Sequence, residues 1–270
     1  MKLKKVLLIL AVSILIFVTS NITVNADMGP KPSIFIDIVG IEGEYVAAFA
    51  SKKVSGPNYD YEKWLEYKDN NPEYNPIMEY KDEEGFKWMT RYYECNGNSE
   101  IKFTYYAPSE FKIVIYKDGE LYKVTEATKM YAFRTYYKID FSKEDIKIRN
   151  TYPYYKEVIE FLLRLTITLA VEIGLYFLFR LHTKRNFKIV AIVNIATQLL
   201  LNIIINLSTF YQGELYALII LILCELGIFI IEPIIYMIFM RNKNKFLIAF
   251  YGLLANVLTF FIGVISLLFA

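Results

Sequence analysis

The sequence predicts a membrane protein in two parts: an extracytoplasmic all-β domain of the immunoglobulin-like sandwich type, followed by an α-helical bundle of four membrane spans. Three observations favour this fold class. Apolar residues make up 55% of the 270-residue chain and are concentrated at its two ends. The middle of the chain alternates β-branched and aromatic residues with short turns, as strands do. The part from 151 to 270 contains apolar runs long enough to cross a bilayer as helices.

Residues 1–26 have the organisation of a secretory signal peptide. Three lysines near the start precede an apolar stretch, 6–18, and small residues end the segment at Ala26. We predict cleavage after Ala26, which would place the next segment outside the cytosol. An uncleaved first membrane helix is the alternative, although the apolar run is short for a span.

Residues 27–150 are predicted to form the β-rich domain. The segments 33–39, 111–116, 120–125 and 129–141 have the composition of strands. The pair Asp118-Gly119 between two of them predicts a type I′ hairpin, because both turn residues tolerate a positive φ. Prolines and acidic residues interrupt the pattern in 55–85, which predicts a long loop excursion that binding sites often use.

Charge and cysteine content exclude two classes of β-domain. Segment 27–157 has 19 basic and 23 acidic residues, a net charge of −4, so no nucleic-acid partner is expected. Cys95 lies in the polar middle of the chain and Cys224 in an apolar run. They are predicted to lie in different compartments, so the domain must rely on its core rather than on a disulfide.

Four apolar runs are predicted to span the membrane, and their loops predict the orientation. The predicted spans are 158–179, 188–207, 215–240 and 246–269. The first and third connecting loops carry Arg and Lys without an acidic residue, whereas the second, 208–214, has no basic residue. Basic loops stay in the cytoplasm. We therefore predict a multi-pass bacterial plasma-membrane protein with its β-domain and C-terminus extracytoplasmic and its basic loops cytoplasmic.

Polar residues within the spans recur as two similar sets. In order, Glu172, Tyr176, Phe179, Arg180, Asn194 and Thr197 match Glu232, Tyr236, Phe239, Arg241, Asn256 and Thr259. The match predicts a duplicated two-helix unit, a parallel internal repeat related by a pseudo-twofold axis along the membrane normal. At about 1.5 Å per residue, the glutamates and asparagines fall at similar depth, slightly cytosolic of the midplane. We call Glu172, Asn194, Glu232 and Asn256 the polar layer.

The polar layer and its neighbours form the candidate binding site. Its predicted residues are Glu172, Asn194, Thr197, Gln198, Asn202, Glu225, Glu232, Tyr236 and Asn256. A polar stripe facing lipid costs several kcal/mol for each group, so the stripes are expected to face one another. Burial and mutual repulsion favour neutral carboxylic acids. We therefore predict that Glu172 and Glu232 are protonated or share a proton at neutral pH. Their hydrogen-bond partners are predicted among Asn194, Asn256, Tyr176 and Tyr236.

Two interpretations of the layer remain open: hydrogen-bonding residues that only hold the bundle together, and a site for a proton, a cation or a lipid headgroup. Catalysis has less support. The one histidine, His182, lies in a basic loop, and the sequence has neither a zinc-ligand cluster nor a glycine-rich phosphate loop. We expect no enzymatic activity, no metal and no cofactor. Acid–base chemistry by the paired glutamates is the alternative.

Aromatic residues in the β-domain indicate candidate partners. Eighteen of the 23 tyrosines and both tryptophans lie in 27–157. Exposed aromatic rings stack on sugars and anchor protein interfaces, so a cell-wall glycan or another envelope or membrane protein is a candidate partner besides the lipid bilayer. The alternative is structural, because tyrosine is also a good strand former.

The chain resembles a group of Gram-positive bacterial membrane proteins. The resemblance is carried by Asp27-Met28-Gly29-Pro30-Lys31-Pro32-Ser33 after the signal peptide and by Asn194, Thr197, Gln198 and Asn202 in the pattern N-x-x-T-Q-x-x-x-N. It implies a bacterial plasma-membrane location and a shared architecture, but no activity. Members of this group have further ectodomain cysteines, where this chain has only Cys95.

The expected role is extracytoplasmic binding or sensing, or accessory work with another envelope protein. The alternative is a small proton- or cation-coupled transporter that uses Glu172 and Glu232.

Overall fold

The structure is a computed structural model that describes residues 30–53, 75–241 and 244–268. These residues form two compact units, Pro30–Tyr152 and a second unit that begins at Pro153. The predicted signal peptide, 1–26, and much of the predicted excursion, 54–74, lie outside the described residues. We describe each unit by itself.

The first unit is β-rich and contains two sheets. Its strands are β1 Ser33–Val39, β2 Glu44–Ser51, β3 Lys87–Asn96, β4 Ser99–Thr104, β5 Glu110–Lys117, β6 Glu120–Val124, β7 Thr128–Lys129, β8 Arg134–Asp140 and β9 Lys147–Asn150. One sheet has the order β4-β1-β8-β9, and the other has the order β3-β2-β5-β6 with β7 beside β5. Strand β1 pairs antiparallel with β4 but parallel with β8.

The predicted Asp-Gly hairpin is confirmed. Lys117 of β5 pairs with Glu120 of β6 across the two-residue turn. Asp118 has φ 53° and Gly119 has φ 84°, as a type I′ turn requires. This local signal alone sets the register of the β5–β6 pair at the turn.

The two central strands of the second sheet, β2 and β5, are buried on both faces. On one face, β2 and β5 share a core with the first sheet, which includes Ile36, Phe49 and Phe111. On the other face, Phe86 and Trp88 pack with a short helix, α1 Asn75–Met78, over Ala48 and Val114. Burial on both faces explains why β2 and β5 have nearly continuous apolar sequences. Residues 75–86, most of which belong to the predicted excursion, therefore help to cover this sheet.

A buried lysine lies at the edge of this second core. Lys112 Nζ is 2.7 Å from Asp82 Oδ2 and 2.9 Å from Glu84 Oε1. Burial alone would raise the pKa of Asp82, but hydrogen bonds from Lys112 and from the Phe86 backbone outweigh it, and this pKa is lowered. Burial alone would lower the pKa of Lys112, but its bonds to the two carboxylates outweigh it, and this pKa is raised.

These pKa shifts predict how the stability of the β-domain depends on pH. The lowered pKa of Asp82 contributes stability above its unfolded-state pKa of about 3.9, which is lost as the pH falls through the folded value. The raised pKa of Lys112 contributes stability below about pH 10.4, which is lost at higher pH. We expect Lys112→Met to remove the alkaline loss and weaken the acid loss. Tryptophan fluorescence during urea unfolding at each pH measures this effect, because Trp64 and Trp88 both lie in 27–157.

The exposed residue Lys138 provides the matched control, since its side chain is not buried in the folded domain. Lys138→Met should leave both the acid and the alkaline loss of stability unchanged. A Lys112→Met profile that is identical to wild type would contradict a role for this ion cluster in stability.

The described residues of the second unit form four helices: α2 Tyr154–Leu178, α3 Lys184–Gln212, α4 Glu214–Phe239 and α5 Lys245–Leu268. Helices α2, α3 and α4 are long and apolar enough to cross a membrane. Helices α2 and α4 each pack against both α3 and α5, so the four helices form a closed ring. Successive helices are joined by short connections and therefore run antiparallel.

Short hydrogen-bonded motifs build the first loop, between α2 and α3. Leu181 N–H donates to Tyr176 O and Arg180 N–H to Phe177 O, which is a Schellman motif with Arg180 in the left-handed position at φ 54°. Thr183 Oγ1 then accepts from Asn186 N–H and caps α3. These motifs reverse the chain within five residues, so that Glu172 and Asn194 face each other across the hairpin.

Candidate intramembrane polar site

The structure buries the four residues of the polar layer, Glu172, Asn194, Glu232 and Asn256. Glu172 on α2 is 0% exposed and Glu232 on α4 is 1% exposed. Asn194 on α3 and Asn256 on α5 are also buried. Each residue of the layer thus comes from a different helix.

Tyrosine hydroxyls surround one oxygen of the Glu172 carboxyl group. Tyr251 OH lies 2.8 Å from Glu172 Oε2, and Tyr236 OH lies 3.5 Å from the same atom. Asn194 Nδ2 donates to Tyr236 OH at 2.9 Å. A chain of hydrogen bonds therefore runs from α3 through α4 to α2, and α5 contributes a second donor.

A different set of contacts surrounds Glu232. Thr197 Oγ1 donates to Glu232 Oε1 at 2.6 Å. Asn256 lies beside the same carboxyl group, and Glu172 is close enough to interact with it electrostatically. The two glutamates are therefore neighbours within one site, as their similar depth predicts.

Three buried oxygen atoms at this site have no hydrogen-bond partner among the described residues. They are Glu172 Oε1, Glu232 Oε2 and Gln198 Oε1. All three side chains are at least nine-tenths buried. Such atoms are costly in a protein interior, where nearly all polar groups are paired. The site can therefore accept further hydrogen bonds, or hold a proton or a positive charge.

The remaining predicted site residues lie farther from the two carboxyl groups. Asn202 Oδ1 accepts a hydrogen bond from Asn206 on its own helix, at 3.3 Å. Glu225 is half-buried and interacts electrostatically with Arg164 of α2. These contacts extend the polar region along the bundle rather than completing the layer.

Among the predicted hydrogen-bond partners of the glutamates, Tyr176 is wrong, and the sequence analysis did not identify Tyr251. Tyr176 OH donates to Thr183 O at 2.9 Å, so it closes the loop instead of binding a glutamate. Tyr251 takes that place and donates to Glu172. The depth of Tyr251 in the membrane is a signal that could have identified it. Tyr251 lies six residues, or about 9 Å, after Lys245 at the end of its helix, which is close to the depth of Asn194. The signal is weak because tyrosine in an apolar run also fits the aromatic belt of a bilayer.

The proposed repeat shows matching local contacts but an asymmetric site. Thr197 Oγ1 lies within hydrogen-bond distance of the carbonyl oxygens three and four residues before it, and Thr259 Oγ1 has the same arrangement. Asn244 Oδ1 caps α5 through Leu247 N–H, as Thr183 caps α3. The two carboxyl groups differ, however, because Glu172 accepts from tyrosines and Glu232 from a threonine. Duplication itself remains a prediction.

A glycine permits the close approach of α4 and α5 beside the site. A Cβ atom at Gly252 would lie 3.1 Å from both Pro233 Cγ and Tyr236 Cδ2. We expect Gly252→Leu to push the helices apart, displace Tyr236 and destabilise the bundle by about 1–3 kcal/mol, as overpacking does. Thermal unfolding followed by circular dichroism at helical wavelengths measures this loss.

Gly174 is the matched control, because a Cβ atom there meets no atom within 4 Å. Gly174→Leu should leave the helical transition unchanged or raise it slightly, since glycine is a poor helix former. Equal losses for the two variants would contradict the packing role of Gly252.

The described residues contain no group of three or more His, Cys, Asp or Glu side chains that could hold a metal ion. No protein-family model, curated protein or solved structure matches this chain. Fold and site therefore define only a class, a β-rich domain joined to apolar helices of membrane-spanning length that bury two carboxyl groups.

Proposed function

We propose that this chain is a four-span plasma-membrane protein with an extracytoplasmic immunoglobulin-like sandwich and cytoplasmic basic loops. Two sheets that share a core support the sandwich. The closed ring of α2 to α5 supports a fourth span beside the three long apolar helices. Exposed Arg180 and Arg241 at the loop ends support the orientation, because basic loops stay in the cytoplasm.

Within this architecture, the best-supported function is reversible binding of a proton or small cation by Glu172 and Glu232, as in a small coupled transporter. The observation that carries this proposal is that Glu172 Oε1, Glu232 Oε2 and Gln198 Oε1 have no hydrogen-bond partner in the part of the chain that the structure describes. All three atoms accept hydrogen bonds, and two carboxylates side by side repel each other. A proton shared between them, or a cation, satisfies both conditions.

Polar residues that merely hold helices together are expected to pair fully, since each unpaired group in an apolar interior is costly. Asn186 shows that pattern elsewhere in this bundle. Its Nδ2 donates to Leu181 O, and its Oδ1 accepts from Arg241 N–H. The contrast with Glu172 and Glu232 favours a binding site over purely structural residues.

Infrared titration of the full chain in lipid bilayers tests this proposal. We expect a band of protonated carboxylic acid at neutral pH that decreases as the pH rises. A proton site should be indifferent to sodium ions, whereas a cation site should lose the band when sodium is added. Full ionisation at pH 6, without any response to sodium, would overturn the proposal.

We also propose a binding role for the β-domain, favoured by a strained turn. Tyr105 and Tyr106, between β4 and β5, both have positive φ, 58° and 55°, and both are about half exposed. The left-handed region costs about 1–2 kcal/mol for a residue with a side chain. Strain of this kind is concentrated at functional sites. Two outward phenol rings could stack on a cell-wall glycan or anchor an envelope protein.

Replacing Tyr105 and Tyr106 together by glycine tests this binding role. Glycine adopts positive φ without strain, so the β-domain should become no less stable. Retention of the full chain on isolated peptidoglycan should be lost in the variant. Equal retention of variant and wild type would exclude glycan binding by this turn.

A further inference from the structure

We infer that the two buried glutamates exchange protons or cations with only one side of the bundle, the side where α2 begins at Tyr154. The inference rests on the proposed function and adds the direction of access. We call this end of the bundle the Tyr154 side, and the end with the loops 179–183 and 240–244 the loop side.

A column of polar side chains leads from the polar layer toward the Tyr154 side. On α2, Thr168 and Arg164 precede Glu172 by four and eight residues and lie on one face of the helix. On α3, Gln198 and Asn202 follow Asn194 at the same intervals. Since α2 and α3 are antiparallel, both series extend about 6 and 12 Å in the same direction.

The column also contains a third carboxyl group. Glu225 on α4 precedes Glu232 by seven residues, about 10 Å toward the Tyr154 side. It interacts electrostatically with Arg164 on one side and with Glu232 on the other. We call Arg164, Thr168, Gln198, Asn202 and Glu225 the polar column.

The polar column has unpartnered atoms, as the layer does. Arg164 Nη1 and Gln198 Oε1 are buried without a hydrogen-bond partner among the described residues. Arg164 Nη1 is a hydrogen-bond donor and Gln198 Oε1 is an acceptor. The polar column can therefore form further hydrogen bonds with both acceptors and donors. Together with Glu172 Oε1 and Glu232 Oε2, these atoms leave hydrogen-bonding capacity unfilled at several depths between the polar layer and the Tyr154 side.

The loop side has the opposite character. Between the layer and the loops, buried apolar and aromatic residues form one cluster, which we call the loop-side seal: Tyr176, Leu181, Val190, Tyr236, Met240, Ile248 and Tyr251. Val190, Ile248 and Tyr251 are each 0% exposed. The seal contains hydroxyl groups, but each has a partner, for example Tyr176 OH on Thr183 O. Packing as dense as a protein interior excludes water from this end.

Cysteine accessibility in oriented vesicles tests the direction of access. In full-length protein carrying Cys95→Ser and Cys224→Ser, single cysteines are introduced by Gln198→Cys and Val190→Cys. They are probed with a charged, membrane-impermeant methanethiosulfonate from each side. We expect Gln198→Cys to react only from the Tyr154 side and Val190→Cys to react from neither side. Exposed positions, Tyr211→Cys at one end and His182→Cys at the other, verify vesicle orientation.

The outcomes separate the two proposals. Reaction of Gln198→Cys from the loop side or from neither side, or reaction of Val190→Cys from the loop side, overturns one-sided access. If Gln198→Cys does not fold, Asn202→Cys on the same face replaces it, with the same expectation. The infrared titration tests whether the glutamates bind a proton or a cation, whereas the labelling tests only the direction of access. A failed titration with one-sided labelling would therefore overturn the proton or cation site and retain the open column.

Discussion

Replacing Glu172 and Glu232 together by glutamine should abolish proton exchange by the helical bundle. Glutamine keeps the size and the acceptor oxygen of glutamate but has no titratable proton. Tyr251 OH and Thr197 Oγ1 can still donate to the amide oxygens at the distances they have in the wild type, 2.8 and 2.6 Å. The fold should therefore survive while the carboxylic-acid band disappears. Infrared spectra and proton release after a pH jump, both in proteoliposomes, measure this loss.

Glu160→Gln is the matched control, because Glu160 lies on the same helix but is exposed. It should leave the band and the proton release unchanged.

The double variant also separates the two proposed functions. A protein that only binds partners through its β-domain should tolerate it, whereas a coupled transporter should lose its transport activity. Deletion of 27–150 should have the reverse effect. Wild-type proton release in the double variant would refute the site.

Gly40→Ala should destabilise the β-domain more than the same substitution at the nearby Gly43. Gly40 has φ +82°, and a Cβ atom there would lie 2.4 Å from Ser142 N, a contact that real structures do not allow. Gly40 and Ser142 closely follow the ends of β1 and β8, which pair in parallel up to Val39 and Asp140. The clash would therefore force the ends of two central strands apart. Left-handed strain and overpacking together should cost about 3 kcal/mol.

Gly43 provides the control that separates strain from clash. It also has a positive φ, +71°, but a Cβ atom there meets nothing within 4 Å. Gly43→Ala should cost about 1 kcal/mol, from backbone strain alone. Urea unfolding of the full chain, followed by tryptophan fluorescence, compares the two variants. Equal losses would show that the approach of Ser142 to Gly40 is not a tight constraint.

Local patterns in the sequence predicted the elements well. The apolar runs at 158–179 and 215–240 correspond to helices Tyr154–Leu178 and Glu214–Phe239. Asp118-Gly119 predicted its turn, because a type I′ hairpin depends on two residues and their φ angles. Depth counting also placed Glu172 and Glu232 near each other, since helical rise is constant along a straight helix.

Contacts between distant segments were not predictable in the same way. The parallel pairing of β1 with β8 joins residues about 100 positions apart, and strand composition does not select such partners. Residues 55–85 were predicted to be a polar, proline-containing loop, yet Ile77 and Met78 cover the second sheet. Their burial depends on a groove that exists only once the sheet has formed.

Hydropathy and helical rise are properties of single segments. They were therefore sufficient to predict that the apolar segments bring glutamates and asparagines into the membrane, with both glutamates at a similar depth. Packing between helices determines that Tyr251 binds Glu172 while Tyr176 does not, and that three oxygen atoms are left without partners among the residues described. The rotation of each helix about its axis is set by packing against its neighbours, as with Gly252 against Pro233, and that rotation selects which side chains meet.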